Sequence, residues 1–213
     1  YLFFPSFPIH IALIRGTTAD LDGNITMEHE YSLSDVLALA MAAHNGGGKV
    51  ICQVERVAAR GTLNPQSVRV PGIMVDAIVI DEHQKLTTGI DQDPSASGEL
   101  KIPWETLEPG PLDTLRQILV RRALRDLKSG DVVNLGFGIT ALIPQVAMEE
   151  GVFDQLIFTT EHGVIGGFPY SGIQFGGAFN PQALIEATNQ FDFIDGGGPD
   201  VICLSFAEVD REG

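Results

Sequence analysis

The sequence is short of cysteine, of basic residues and of long apolar runs. Of its 213 residues, 2 are cysteine, 13 are Lys or Arg and 28 are Asp or Glu, so the formal net charge is −15. No run of basic residues forms a patch, and because phosphate binding requires clustered Lys and Arg, we expect no nucleic-acid partner. Pro, Gly or a charged residue interrupts every apolar stretch before the roughly 18 residues needed to span a bilayer, so we expect no membrane contact either.

The two cysteines, Cys52 and Cys203, lie far apart in the sequence, and each is flanked by aliphatic residues. This pattern is typical of buried reduced thiols and favours a cytoplasmic protein. The histidines and cysteines together show no ligand spacing, so we expect no metal site. Hydrophobic residues make up 44% of the sequence, which is enough for a substantial core.

Strand-like and helical segments alternate along the chain, which predicts an α/β fold with a mainly parallel sheet. The β-rich segments at 49–57 and 70–80 are predicted to be two strands. A helix that stops at Gly130 is predicted next, and its apolar face is formed by Leu112, Leu115, Ile118, Leu119 and Leu127. Its opposite face is basic, and the sequence allows either a solvated surface or a contact with an anionic ligand.

Segment 81–110 is polar and without periodicity, and it ends in a Pro-Gly-Pro run, so we predict a linker there. Residues 10–23 align without gaps to 200–213, and both end in an Asp-x-acidic-Gly turn. If the similarity reflects a repeat, 1–80 is the later part of one α/β domain and 111–213 is the earlier part of a second, related one. The alternative is two independent strand endings of a common type.

A Gly-x-Gly-x-x-Ala turn, formed by Gly136, Gly138 and Ala141, lies between a predicted strand and a predicted helix. Backbone N–H groups in such a turn can hold a phosphate or an oxyanion. Glu161 lies near the spacing at which a dinucleotide-binding fold keeps its ribose-binding acid. The turn taken alone therefore supports a nicotinamide-dependent oxidoreductase, and a purely structural tight turn fits it equally well.

Glu161 ends an apolar strand and is followed by glycines at Gly163, Gly166 and Gly167. Glycines allow a ligand to approach the backbone closely and keep Cβ atoms away from the reacting atoms. The pattern indicates a carboxylate placed to react. His162 is either a base or a partly buried neighbour.

The segment 160–166, which reads Thr-Glu-His-Gly-Val-Ile-Gly, resembles the Ser-Glu-Asn-Gly-aliphatic-aliphatic-Gly signature of the family I CoA-transferases. Asn-Leu-Gly-Phe-Gly-Ile at 134–139 is similar to the segment that opens the second half of these enzymes. The glycine-rich turn at 193–198 and the strand ending at 204–210 are also similar to parts of the family, as is 70–76. The resemblance covers nearly the whole chain, and it implies parts of two tandem, related open α/β domains.

The resemblance implies that CoA moves from a short-chain acyl-CoA to a free carboxylate such as acetate, by a ping-pong route through a thioester on Glu161. Backbone N–H groups at Gly136, Gly138, Gly163, Gly166 and Gly167 are then the candidates for binding CoA or the oxyanion. CoA is a substrate in this scheme, so no bound cofactor is implied. The partners are acyl-CoA and short-chain carboxylic acids, and we expect a homo-oligomer.

The chain departs from the family pattern at two places. His162 replaces the usual Asn, and Thr140 with Ala141 replaces the Pro that commonly follows Gly-x-Gly-Ile. The glycine-rich motif of the family's first half is missing, so we expect this chain to be a central fragment. Two other functions stay open: an NAD-dependent oxidoreductase that uses the Gly136 turn, and a non-catalytic ligand-binding relative.

Overall fold

The computed structural model describes residues 2–86 and 90–213. The chain divides into two compact units, Tyr1–Gln92 and Asp93–Gly213. Each unit has its own buried hydrophobic cluster. The predicted α/β class with mainly parallel sheets is confirmed.

The division between the units falls inside the segment 81–110 that we expected to be a linker. Its described part contains one four-residue helix, α2 (Pro94–Ser97), and one 3-10 turn at Trp104–Thr106. The N–H of Asn180 donates to the carbonyl of Ser95 at 2.8 Å, so this part of the segment packs on the second unit. The assignment of the units to tandem, related domains stays a prediction.

The described residues of the first unit form two sheets and one α-helix, α1 (Val36–Asn45), which packs against the parallel sheet. One sheet is parallel with strand order β1-β4-β7, and the other is mixed with order β5-β2-β3-β6. Its strands are β1 (Ile11–Arg15), β2 (Thr18–Asp20), β3 (Ile25–Thr26), β4 (Lys49–Val54), β5 (Arg56–Ala58), β6 (Val68–Val70) and β7 (Ala77–Ile80). Val50, Cys52 and Val54 are buried along β4, which is the period of two expected of a strand with one face in a core.

The second unit is built on a five-stranded sheet with order β13-β10-β9-β8-β14. Strands β14, β8 and β9 are parallel, whereas β10 and β13 are antiparallel. The strands are β8 (Val132–Leu135), β9 (Ile157–Thr160), β10 (Val164–Ile165), β13 (Ala183–Leu184) and β14 (Val201–Cys203), with β11 (Phe168–Pro169) and β12 (Ala178–Phe179) pairing separately. The helices are α3 (Thr114–Leu124), α4 (Ile143–Glu149) and α5 (Ala187–Asp195). Val133, Phe158 and Val146 belong to the core between sheet and helices.

Both segments that we predicted as single strands, 49–57 and 70–80, are split. Strand β4 ends before Glu55, and β5 then joins the other sheet. In the second segment, Pro71 and a 3-10 turn at Gly72–Met74 separate β6 from β7. Proline has no N–H for a sheet ladder, which favours the end of β6 before Pro71.

The predicted apolar face of α3 is wrong in its middle, although Leu112 and Leu127 at its two ends do pack against the core. Leu115 and Ile118 are 66% and 61% exposed, and it is Val120 and Leu124 that are buried. Apolar residues lie on both faces of this helix, so their spacing cannot choose between the faces. Packing against α4 makes the choice.

Three arginines on the basic face of α3 form ion pairs within the chain. Its ion pairs are Arg116 with Asp113 at 2.7 Å, Arg122 with Asp126 at 2.7 Å, and Arg121 with Glu149 and Glu150, both at 2.6 Å. These pairs involve exposed or half-exposed groups, so each contributes little to stability. The three arginines therefore match the solvated alternative better than an anion site.

The two segments aligned at an offset of 190 contain the same turn. The N–H of Asp22 donates to Oδ1 of Asp20 at 2.9 Å, and the N–H of Glu212 donates to Oδ1 of Asp210 at 2.9 Å. An aspartate that accepts from the N–H two residues on is a local Asx turn. The two turns are thus similar in structure as well as in sequence, while the repeat of the wider segments stays a prediction.

None of the helices in the described residues combines the length and the apolar character required to cross a bilayer.

Candidate functional site

Glu161 immediately follows β9, at its carboxyl end, and its side chain is partly exposed. Strand β9 lies inside the five-stranded sheet, and Leu135 of β8 is the register partner of Thr160. The next residues along the two parallel strands are Gly136 and Glu161. The glycine turn and the carboxylate that the sequence singled out therefore leave the sheet side by side, at the edge where open parallel sheets bind ligands.

The turn after Glu161 requires its glycine. Gly163 has φ +87°, and a Cβ there would lie 2.0 Å from the carbonyl oxygen of Ile185. The Gly163 N–H donates to the carbonyl of Thr160 at 3.1 Å, which closes the turn under Glu161. Gly163 thus shapes the turn, and its own N–H is engaged.

Two further N–H groups proposed as donors are also engaged inside the protein. The N–H of Gly136 donates to the carbonyl of Cys203 at 2.8 Å, and that of Gly166 donates to the carbonyl of Phe158 at 2.7 Å. An N–H held by a backbone carbonyl cannot at the same time point at an oxyanion. This corrects the donor role expected for Gly136 and Gly166.

The structure does not bring Gly166 and Gly167 to Glu161. Strand β10 folds back antiparallel to β9, with Ile165 opposite Thr159. Gly166 therefore lies beside Phe158, three residues and roughly 10 Å back along β9 from Glu161. These two glycines instead line a separate open cavity of about 560 Å³, together with Trp104 and Phe153 among others.

Of the five predicted glycines, Gly138 is the one that keeps both an available N–H and a place at the strand ends. Within the described part of the chain its N–H makes no hydrogen bond. Its φ is +108°, and it precedes a 3-10 turn at Ile139–Leu142. The hydroxyl of Thr140 donates to the carbonyl of Gly136 at 2.8 Å and thereby holds the Gly136–Gly138 turn.

Among the described residues, no Lys, Arg or His forms an ion pair with Glu161, in contrast to the paired carboxylates elsewhere on the chain. The same residues contain no group of three or more His, Cys, Asp or Glu placed to hold a metal ion. The site consists of one carboxylate, backbone turns and aromatic rings.

The sequence model of a family described as coenzyme A transferase matches residues 3–81. Over the whole chain, the sequence is 42% identical to caffeate CoA-transferase of Acetobacterium woodii and 44% identical to acetate CoA-transferase YdiF of Escherichia coli K12. The chain belongs to the coenzyme A transferase family.

Solved structures agree with this family assignment. A crystal structure of the acyl-CoA transferase YdiF of E. coli O157:H7, in a thioester complex with CoA, matches with a TM-score of 0.82 and 42% identity, over 97% of this chain and 40% of that one. The apoenzyme matches with a TM-score of 0.84, over 97% of this chain and 38% of that one. The chain spans 41% and 40% of the length of the two curated relatives.

A buried polar relay lies beneath these strand ends, and the sequence did not indicate it. The hydroxyl of Thr159 donates to Oδ1 of Asn134 at 2.9 Å, and Nε2 of Gln190 donates to the Thr159 hydroxyl oxygen at 3.3 Å. All three side chains are at most 1% exposed. The relay links β8, β9 and α5 through side chains that lie two residues before Gly136 on β8 and two residues before Glu161 on β9.

Aromatic residues beside Glu161 were also missed as parts of the site. The ring of Phe175 makes edge-to-face contacts with the rings of Phe137 and His162, at centroid distances of 5.8 Å and 5.7 Å. A signal was present in the run Phe-Gly-Gly at 175–177, which places a bulky ring next to two residues without side chains.

Proposed function

We propose that the protein that carries this chain transfers CoA from a short-chain acyl-CoA to a free carboxylic acid, with Glu161 as the nucleophile. The proposal rests on the placement of Glu161: a carboxylate without an ion pair among the described residues, at the carboxyl end of a strand inside the sheet, next to a glycine turn. The names of the relatives support the reaction class, since both are CoA-transferases.

The proposed reaction proceeds in two halves. The Glu161 carboxylate attacks the thioester carbonyl carbon, and the C–S bond breaks to give an acyl-glutamyl anhydride and CoA thiolate. The thiolate then attacks the glutamyl carbonyl carbon, which releases the first carboxylate and leaves glutamyl-CoA. A second carboxylate attacks glutamyl-CoA and the same steps run in reverse, so Glu161 is regenerated and no redox agent or bound cofactor is consumed.

Each attack creates a negative charge on a carbonyl oxygen, which needs a hydrogen-bond donor fixed in advance. Gly138 is the proposed donor, because its N–H is available and its turn adjoins the end of β9. Removal of one such donor typically lowers kcat by 10²–10³.

A nicotinamide-dependent oxidoreductase fits this site less well. In a dinucleotide fold the glycine turn leads into the first turn of an α-helix, whose N–H groups hold the pyrophosphate. Here the turn leads into the 3-10 turn at Ile139–Leu142, and α4 then begins at Ile143 with Pro144 in its first turn. Protection against thermal unfolding by CoA and not by NAD is expected.

The decisive experiment is mass spectrometry of the protein that carries this chain, after incubation with acetyl-CoA and no acceptor acid. The expected product is heavier by one CoA less one water, and peptide mapping is expected to locate the adduct on Glu161. Glu161→Gln is expected to form none. The matched control is Glu150→Gln, which alters an exposed carboxylate paired with Arg121 and should leave adduct formation unchanged.

An adduct on Cys203, Glu186 or any other residue would contradict the covalent role of Glu161. Binding of CoA without any adduct or turnover would support the non-catalytic alternative. The relatives differ in the acid that their names give, caffeate or acetate, and we propose a short-chain acid here. Cytoplasmic location and a homo-oligomeric state are expected alongside this activity.

A further inference from the structure

The two turns that form the site leave the sheet as neighbours, and the sheet no longer holds them there. The pairing of β8 with β9 ends at Leu135 and Thr160. Beyond these residues the Gly136 N–H bonds to the other neighbouring strand, at Cys203, and not to the turn that carries Glu161. The position of Glu161 relative to Gly138 must therefore depend on contacts outside the ladder.

Phe175 supplies such a contact. Its side chain is 8% exposed, and it lies between Phe137, which is in the Gly136–Gly138 turn, and His162, which follows Glu161. The interplanar angles are 76° and 80°, so both contacts are edge-to-face, the arrangement that aromatic rings favour. One buried ring thus touches both turns of the site.

Gly176 brings the same loop closer still. With φ +116°, it lies so close to His162 that a Cβ would be 2.9 Å from the imidazole Cγ. The hydroxyl of Thr160 donates to the carbonyl of Gly176 at 3.4 Å, and the N–H of Tyr170 donates to the carbonyl of Gly177 at 2.9 Å. The loop is therefore anchored at its base and in direct contact with the residues on either side of Glu161.

We propose that Phe175 is a positioning residue for the reaction: its ring, packed between Phe137 and His162, holds Glu161 at the distance from the Gly138 N–H that attack requires. This inference rests on the proposed function. It also assigns His162 a packing role, which any flat ring of similar size can fill, and it explains why the imidazole is next to the nucleophile without acting as a base.

The test compares Phe175→Leu with Phe179→Leu in the protein that carries this chain. Phe179 makes an edge-to-face contact with Tyr170 at a centroid distance of 4.6 Å. Each variant therefore loses one aromatic ring from the second unit, but only Phe175→Leu loses a ring that contacts the turns of the site. Because a misplacement near 1 Å can cost about 100-fold in rate, Phe175→Leu is expected to lower kcat and the rate of glutamyl-CoA formation about 10- to 100-fold. Its KM for acyl-CoA should change less than about 3-fold, and Phe179→Leu should keep kcat within the same factor.

A second pair of variants separates packing from imidazole chemistry. His162→Phe keeps a ring against Phe175 and is expected to retain most of kcat with an unchanged pH profile, whereas His162→Ala is expected to lose activity to the extent of Phe175→Leu. Equal losses in His162→Phe and His162→Ala would overturn the inference. So would a wild-type kcat in Phe175→Leu, or an equal loss in Phe179→Leu.

The wild-type protein distinguishes failure of this inference from failure of the proposed function. If the wild type forms no adduct on Glu161, the proposed function fails and the inference fails with it. If the wild type forms the adduct and Phe175→Leu forms it equally fast, only the inference fails.

Discussion

Glu30 in the first unit and Glu161 in the second are both carboxylates, and they differ in what surrounds them. Glu30 in the first unit is 5% exposed and accepts from Nε and Nη2 of Arg15 at 2.9 Å and 2.6 Å. Glu161 in the second unit is partly exposed, and none of the described basic side chains forms an ion pair with it. A guanidinium fork occupies the oxygen lone pairs of the carboxylate it binds, whereas a carboxylate without one keeps them for attack on a carbonyl carbon.

The difference shows that burial and charge do not by themselves mark a functional carboxylate. Burial raises the pKa of Glu30 above its ordinary value, although the hydrogen bonds and charge of Arg15 act in the opposite direction. Together with burial, the Glu30 charge also raises the pKa of the Cys52 thiol to about 12. The Glu30 carboxylate is closed off by Arg15, so we assign it to stability and propose Glu161 for the chemistry.

The largest expected effect is on activity. Glu161→Gln removes the nucleophile, so kcat for CoA transfer should fall at least about 10³-fold, while the free energy of unfolding should change by no more than about 0.5 kcal/mol because the site is partly solvated. Glu30→Gln should keep kcat per folded molecule within about 3-fold. Steady-state kinetics and denaturant titration of both variants measure these effects. A comparable loss of kcat in both variants would contradict the distinction between Glu161 and Glu30.

The second effect is on stability. Arg15→Ala leaves the Glu30 carboxylate buried without its partner, and breaking a buried pair in this way costs about 3–5 kcal/mol. A matched surface control is Arg122→Ala, whose exposed pair with Asp126 is worth about 0.5 kcal/mol or less. Urea unfolding measures both. If Arg15→Ala costs no more than the control, Glu30 is not held as the structure indicates.

The third effect is a pH dependence of the free energy of unfolding, caused by the titration of Glu30. Because its pKa is higher in the folded state than the ordinary 4.5, the folded protein binds the proton more tightly than the unfolded chain does. The stability that this proton contributes is fully present below pH 4.5 and is lost as pH rises through the folded pKa. The free energy of unfolding of wild type, relative to Glu30→Gln, should therefore fall as pH rises above 4.5, and a difference that rises or stays constant would contradict it.

The smallest expected effect is a difference in the free energy of unfolding between variants of the two Asx turns, at Asp20 and Asp210. Asp20 is 2% exposed and also accepts from the N–H and side chain of Asn24, both at 3.0 Å, so Asp20→Ala should cost about 1–2 kcal/mol. Asp210 is exposed in this chain, and Asp210→Ala should cost no more than about 0.5 kcal/mol. Thermal unfolding of the two variants measures the difference, and equal costs would show that the turns are equivalent in energy as well as in shape.

The sequence by itself determined the features that depend on neighbouring residues. The alternation of strands and helices, the Asx turns at Asp20 and Asp210, and the carboxylate followed by a glycine turn were all predicted from local patterns. Local patterns suffice there because strand periodicity and turn geometry depend on a few adjacent residues. The family resemblance added the reaction that this carboxylate is proposed to perform.

Only the tertiary structure decided which groups are available at the site. Whether the N–H of Gly136 is free depends on Cys203, which is distant in sequence, and β10 carries Gly166 away from Glu161 because it turns back along β9. Phe175 reaches both turns only when the loop around it is folded. Hydrogen-bond partners and ring contacts are relations between distant residues, so they follow from the packed fold and cannot be read from spacing along the chain.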